Sequence, residues 1–382
     1  MSAILTLNAG SSSIKFALYA SAAEPTSLVD GQVENLGDSA AMEIGDAVLE
    51  IGPADHATAV AAILRGIAPF LQGRSVDVVG HRIVHGGTEF AQPVRLDETS
   101  IAALQKLIPL APLHQPHNLA GVHAARAAFP EAIQVACFDT AFHQGHPFVN
   151  DAFALPRKYF DEGVRRYGFH GLSYDYIASV LKRDHPALFQ GRVVVAHLGN
   201  GASMCAMDNG QSIGSSMGFS ALDGLPMGTR CGQLDPGVML YLMGQGMGLP
   251  ELTHLLYNES GLKGLSGLTH DMRTLLASDD PHAKQALDYY VFRIRRELGA
   301  MAAVLGGLDA LVFTGGVGEN AAPIRARVLD NTAFLGLSLD PKANAVNATR
   351  IDAGAVPVLV IPTDEEQVIA RAANSWLRRH RM

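Results

Sequence analysis

At 382 residues the chain exceeds a typical domain of roughly 150 residues, so two domains are expected. Hydrophobic residues make up 48%, enough for a sizeable core without staples, and disordered or collagen-like classes drop out. The net charge of −8 disfavours nucleic acid and anionic membrane surfaces, so an anionic substrate has to be captured by local positive charge. Cys137, Cys205 and Cys231 form no CxxC pair, which fits reduced thiols better than a disulfide framework and implies no thiolate metal site. The opening MSAILTLNAGSSS lacks the basic start of a secretory signal, and no stretch reaches the ~18 apolar residues of a membrane span. A soluble, cytoplasmic protein is the expectation.

In chain order, residues 3–8 and 14–19 read as strands joined by a turn of glycine and serine. Residues 76–84 and 133–138 read as buried strands ending in polar residues, where the active sites of α/β sheets gather. Residues 99–108 read as a short helix stopped by Pro109. The first pattern then returns: a strand at 192–197, a turn of Gly, Asn and Ser, a strand at 204–207, and Asp208, Asn209 and Gly210 as a hairpin signal. Two copies so far apart predict duplicated α/β domains. Leu287, Tyr290, Val291, Ile294, Leu298, Met301 and Leu305 keep helical spacing up to Gly306 and Gly307. A strand at 310–313, a glycine loop and a helical stretch to Leu329 follow. Thr363, Asp364, Glu365 and Glu366 fit a capping box, and Ile369, Ala372, Ala373 and Trp376 form the apolar stripe of a last helix.

Three glycine-rich segments compete for a phosphate: residues 8–13, 197–203 and 315–319. None is GxxxxGK[ST] or GxGxxG, and each alone is more often structural. Together they suggest a nucleotide held between domains. Lys15 either meets a phosphate as a point charge or projects from an edge strand. Arg82 and Arg230 sit in apolar, Gly-rich runs, a setting that favours gripping an anion or a buried carboxylate over solvation. Asp139 follows an apolar strand, and a desolvated carboxylate calls for an arginine or metal partner. His170 and His114 are candidates against a structural reading, while His81 and His85, though four apart, lie on a strand and so do not make the zinc helix of HExxH. Glu365 and Glu366 open the last helix, where one can cap while the other points elsewhere.

The runs NAGSSS with Lys15, GHRIVHGG, LAPLH, FDTAFH, RRYGFHG, HLGNGAS, GLPMGTRCG, FTGGVGEN and PTDEE, in this order, resemble those of the acetate kinase family. The resemblance implies an α/β chain of two duplicated ribonuclease H-like domains of the actin-like ATPase superfamily, with the active site in the interdomain cleft. Residues 1–148 with 368–382 would form the acyl-kinase lobe and residues 149–367 the nucleotide-binding lobe. It implies reversible transfer of the ATP γ-phosphoryl to acetate, with ADP and acetyl phosphate as products and with Mg²⁺, or Mn²⁺ in its place. Propionate or another short-chain acid is the alternative acceptor.

The residues so implied are Asp139, Arg82, His170 and Arg230 for catalysis. Arg82, Val84, His114, Leu113 and Ala221 would meet the acyl substrate, and Asn8 and Glu365 the metal. Lys15, Ser11, Ser13, His197, Leu198, Gly199, Asn200, Gly201, Asp271, Met272, Arg273, Gly315, Gly316, Val317, Gly318 and Glu319 would meet ATP or ADP. The family pattern also implies a homodimer with small-molecule partners only. The chain departs from it at Ala221, where a pocket proline is common, and at Leu172.

Overall fold

The computed structural model describes residues 2–381; Met1 and Met382, the outer limits of the expected acyl-kinase lobe, lie outside the described residues. The chain divides into two compact units, one made of residues 1–142 and 364–382, the other of residues 143–363.

The first unit is built on eight strands: β1 (Ser2–Ala9), β2 (Ile14–Ala20), β3 (Thr26–Glu34), β4 (Gly37–Ile44), β5 (Ala47–Ala54), β6 (Ser75–Ile83), β7 (Val94–Arg95) and β8 (Ile133–Phe138). Their order is β5-β4-β3-β2-β1-β6-β8-β7. An antiparallel meander therefore leads into a parallel core of β1, β6 and β8. Strand β1 is buried at every position but Asn8 because both of its faces are covered. On one face Leu5, Leu7 and Val79 pack with Val60, Ile63 and Ile67 of the helix His56–Leu71 and Ala125 of the helix Gln115–Ala128. On the other lies the helix Glu365–Arg381, which packs on β1, β6 and β8. It comes so close that a Cβ on Gly80 would sit 2.5 Å from Ile369 Cγ2.

The second unit holds β9 (Arg192–Leu198), β10 (Ala202–Asp208), β11 (Gln211–Ser215), β12 (Ala310–Thr314) and β13 (Val358–Val360), in the order β11-β10-β9-β12-β13. Strands β9 to β11 are antiparallel, and β9, β12 and β13 are parallel. The same five-strand order, β3-β2-β1-β6-β8, runs through the first unit, so the duplication expected from the repeated pattern is present. The β10–β11 hairpin turns on Asn209 (φ 50°) and Gly210 (φ 70°), as its sequence predicts. The helix Pro281–Leu305 buries Leu287, Tyr290, Val291, Ile294, Leu298 and Met301 and ends at Gly306 with φ 69°.

Three local expectations change. The helix expected over 99–108 spans Glu98–Lys106, started by a box between Asp97 and Ser100, and Pro109 lies inside a separate 3₁₀ turn, Ile108–Leu110. The glycine loop after β12 is instead a short helix, Gly315–Asn320, that begins directly at the strand end. The last helix is capped by Asp364, whose Oδ1 accepts from the Gln367 N–H at 2.8 Å; Thr363 instead donates its hydroxyl to Ser173 Oγ.

The Gly80–Ile369 approach leaves no room for a methyl group. Gly80→Ala is expected to lower stability by about 1–3 kcal/mol in urea unfolding, with partial recovery in Gly80→Ala/Ile369→Leu, which removes the Cγ2 branch at nearly constant volume.

Candidate functional site

In the first unit the parallel strands β1, β6 and β8 deliver Asn8, Arg82 and Asp139 to their carboxyl ends. Arg82 binds Asp139 in a fork, with Nε donating to Oδ1 at 2.9 Å and Nη2 to Oδ2 at 2.5 Å. Its Nη1 donates to Asn8 Oδ1 at 3.1 Å, and Glu365 Oε2 stands 3.8 Å from Nε. Asp139, only 2% exposed, thus has the arginine partner its burial demanded. Glu365 sits at the start of the last helix. Burial pushes its carboxyl up to about 7; Arg82 opposes the shift, while Asp139 and Glu366 add to it. Three carboxylates therefore crowd around Arg82, with Lys15 as the further cation acting on Glu365.

Lys15 pairs with Asn8 across the β1–β2 ladder and so shares its face. It does not project from an edge strand, because β2 lies between β1 and β3. Ser11 and Ser13 lie in the turn closed by the Gly10 N–H to Ser13 O bond of 2.8 Å. Val84, buried, follows β6, and its N–H donates to Asn118 Oδ1. Leu113 is exposed and His114 half-buried, just before the helix Gln115–Ala128.

In the second unit His170 takes the left-handed conformation (φ 58°) at the head of the helix Gly171–Asp184. Its Nδ1 lies 2.8 Å from Ser203 Oγ, and its ring stacks on His197 at 4.3 Å between centroids. Leu198 ends β9, and the β9–β10 turn carries Gly199, Asn200 and Gly201. A Cβ on Gly201 would lie 2.6 Å from Arg230 Nη2 and 3.0 Å from His170 Nε2, so glycine here lets both groups approach one point. Arg230 is fixed from behind by Nη1 donating to Ala221 O at 2.8 Å. This pair of nitrogen groups suits an anion.

The remaining expected nucleotide residues are less uniform. Glu319 turns its carboxylate onto the Gly315 N–H at 2.8 Å and the Thr363 N–H at 3.1 Å. Gly315 and Gly318 are buried in that turn, with Gly316 and Val317 between them. Asp271 caps the helix Met272–Leu276, and the Thr274 amide and Arg273 hold its carboxyl down to about 2. Met272 packs into the core, whereas the Arg273 side chain is 92% exposed. The bland readings suit other histidines: His81 bonds Gln134, and His143 lies between Ser212 and the Phe169 carbonyl, with burial pushing it down to about 3.

The sequence singled out none of Asn118, Ser173 and Tyr174, and named Ser203 only as the end of the 197–203 segment. Asn118 ties the end of β1 to the segment after β6, donating to Ala9 O at 2.6 Å and accepting from Val84 N–H at 2.9 Å. Ser203 lies within the HLGNGAS run, which offered a signal; Tyr174 and Asn118 had none.

The raised Glu365 carboxyl fixes a sign. Its proton is held more tightly in the folded state, so the associated stability is present below about 4.5 and is lost as pH rises through about 7. Glu365→Gln is therefore expected to gain about 1–3 kcal/mol over the parent at pH 8 and little at pH 4.5, read from urea midpoints; a gap that does not grow with pH would contradict the crowding.

A model of the Acetokinase family matches residues 3–371. The acetate kinase of Methylocella silvestris is 55% identical over 388 residues, covering 96% of each chain, and that of Rhodopseudomonas palustris 52% identical over 385 residues with the same coverage. The crystal structure of Porphyromonas gingivalis acetate kinase superposes with a TM-score of 0.89 at 38% identity, covering 99% of this chain and 100% of that one. A propionate kinase from Francisella tularensis superposes at 0.91 and 36% identity, covering 98% and 100%. With its duplicated α/β units and a match that runs nearly end to end, the chain belongs to the acetokinase family.

Proposed function

We propose that the chain transfers the γ-phosphoryl group of ATP to acetate, reversibly, giving acetyl phosphate and ADP. The observation that carries this reading is the meeting of Arg230 Nη2 and His170 Nε2 above Gly201, a pair of nitrogen groups suited to an anion and held by carbonyl and hydroxyl partners. A carboxylic acid of pKa near 4.3 is already ionised at neutral pH, so no base is needed. A carboxylate oxygen attacks the γ-phosphorus, the bond to the β–γ bridging oxygen breaks, and ADP leaves with that electron pair. The barrier is the approach of two anions. Arg82 holds the carboxylate, while Arg230 and His170 donate to the oxygens of the phosphoryl in flight.

Asp139 has both oxygens on Arg82, so it serves to aim that guanidinium and not to take a proton. Among the described residues no group of three His, Cys, Asp or Glu is arranged to hold a metal. Mg²⁺ is commonly held by one or two protein oxygens plus substrate phosphates, and the hard oxygens of Asn8 and Glu365 beside surplus carboxylate charge fit that mode. When bound it would neutralise phosphate charge; Mn²⁺ suits the same donors. Lys15, Ser11, Ser13, the 197–201 turn, residues 315–318 and Arg273 are assigned to the nucleotide. Among the described residues no helix is long and apolar enough to cross a membrane, and three cysteines without a CxxC pair suit a cytoplasmic setting.

Val84 favours acetate by its bulk, and Ala221 in place of a larger residue leaves propionate a poorer but real substrate, because one methylene discriminates by only ~1–3 kcal/mol. In a hydroxamate assay, kcat/KM is expected to fall from acetate to propionate to butyrate; a preference for butyrate overturns the assignment. In the same assay Arg230→Ala is expected to abolish acetyl phosphate formation while ATP binding persists. Equal loss of both makes Arg230 structural.

A homodimer is supported by the helix Pro236–Gly244, where Val238, Leu240, Tyr241 and Met243 are all exposed and no residue is buried. Leu240→Glu/Tyr241→Glu is expected to halve the mass seen by light scattering without loss of helix content; an unchanged mass places the contact elsewhere.

A further inference from the structure

His170 does not stand alone behind its proposed donor role. Its Nδ1 meets Ser203 Oγ at 2.8 Å, and Ser203 Oγ meets the Tyr174 hydroxyl at 2.5 Å. Ser203 and Tyr174 are both fully buried, whereas His170 is half-buried. The neighbouring ring repeats the arrangement: Thr363 donates its hydroxyl to Ser173 Oγ at 2.9 Å, and Ser173 Oγ lies 2.8 Å from His197 Nδ1. Two stacked imidazoles are thus each backed, at the same ring nitrogen, by a serine that is in turn backed by a second hydroxyl.

The direction of such a chain follows from acidity. A phenol is a stronger donor than an aliphatic alcohol, and an imidazole nitrogen is a better acceptor than either oxygen. Tyr174 therefore donates to Ser203, and Ser203, with one proton to give, donates to His170 Nδ1. An Nδ1 that accepts leaves the ring proton on Nε2, the nitrogen that faces Arg230 across Gly201. The opposite tautomer would present a lone pair to an incoming phosphoryl oxygen.

We propose that Tyr174 is a positioning residue for phosphoryl transfer, holding His170 through Ser203 as the tautomer whose Nε2–H donates to the transferred group. The inference rests on the assignment of His170 as a donor to that group. Tyr174 touches no substrate in this scheme; it sets the proton on a ring two hydrogen bonds away. The fixed left-handed backbone of His170 holds the ring, and the hydroxyl chain holds its proton.

The test is a double-mutant cycle on the full chain with ATP, Mg²⁺ and acetate. Tyr174→Phe keeps the buried ring and removes only the hydroxyl, so the fold is retained. It is expected to lower kcat roughly 10-fold, the worth of one hydrogen bond, with both KM values within about twofold. In the His170→Ala background the same change is expected to cost nothing further. In parallel, long-range ¹H–¹⁵N spectra of the ¹⁵N-histidine protein are expected to show His170 Nε2 protonated in the parent and a tautomer mixture in Tyr174→Phe and Ser203→Ala. An equal kcat loss in both backgrounds, or a protonated Nδ1 in the parent, overturns the proposal. If His170→Ala is impaired and Tyr174→Phe is not, the relay fails alone. If His170→Ala keeps the parent kcat, the donor assignment itself fails and takes the relay with it.

Discussion

The arrangement of the first unit depends on one guanidinium. Arg82 spends its Nε and Nη2 donors on Asp139 and its Nη1 on Asn8, so a single planar group joins the carboxyl ends of β1, β6 and β8. The fork geometry matters, because a lysine ammonium could neutralise Asp139 but could not set two strand ends at fixed angles to a third. The pair is also asymmetric: Asp139 is almost wholly enclosed, whereas the Arg82 side chain keeps 22% of its surface exposed. The carboxylate is therefore structural and the guanidinium is presented, and removing Arg82 alone would leave the enclosed Asp139 charge uncompensated at a cost of about 3–5 kcal/mol.

The two sheets show how one scaffold accepts different chemistry at equivalent positions. In β1–β2 the pair next to the turn end is Asn8 with Lys15, and in β9–β10 the corresponding pair is His197 with Ser203. Register places both pairs on one face, one step before the last paired residues. The first sheet offers an amide and an ammonium there, the second an imidazole and a hydroxyl. Duplicated backbones supply the geometry, and single side chains decide what it meets.

Much of the fold was legible because its signals are local. Alternation marked β2, the Asn209–Gly210 turn marked the β10–β11 hairpin, and helical spacing with Gly306 marked the helix Pro281–Leu305. The strands β3 to β5 were not read: β5 is largely exposed, and in β4 the buried alternation of Ala40, Met42 and Ile44 is set among glycine, aspartate and alanine neighbours that are poor strand formers. The short helix Gly315–Asn320 looked like a loop because three of its six residues are glycine, yet Glu319 supplies the amide partner that a helix start needs. In the candidate site the charged residues stood out by being misplaced in apolar sequence. Hydroxyls and amides did not: Ser203, Tyr174 and Asn118 gain meaning only from partners 29, 33 and 109 positions away, which no local pattern encodes.

The discontinuity of the first unit has a temporal consequence. Its sheet emerges from the ribosome first, but the helix Glu365–Arg381 that covers β1, β6 and β8 follows only after residues 143–363 have been synthesised. Throughout that interval the nascent sheet exposes an apolar face at Gly80 and lacks the Glu365 carboxylate. Translation must therefore deliver the whole second unit before the first can finish, which leaves that apolar face open to aggregation for the whole interval.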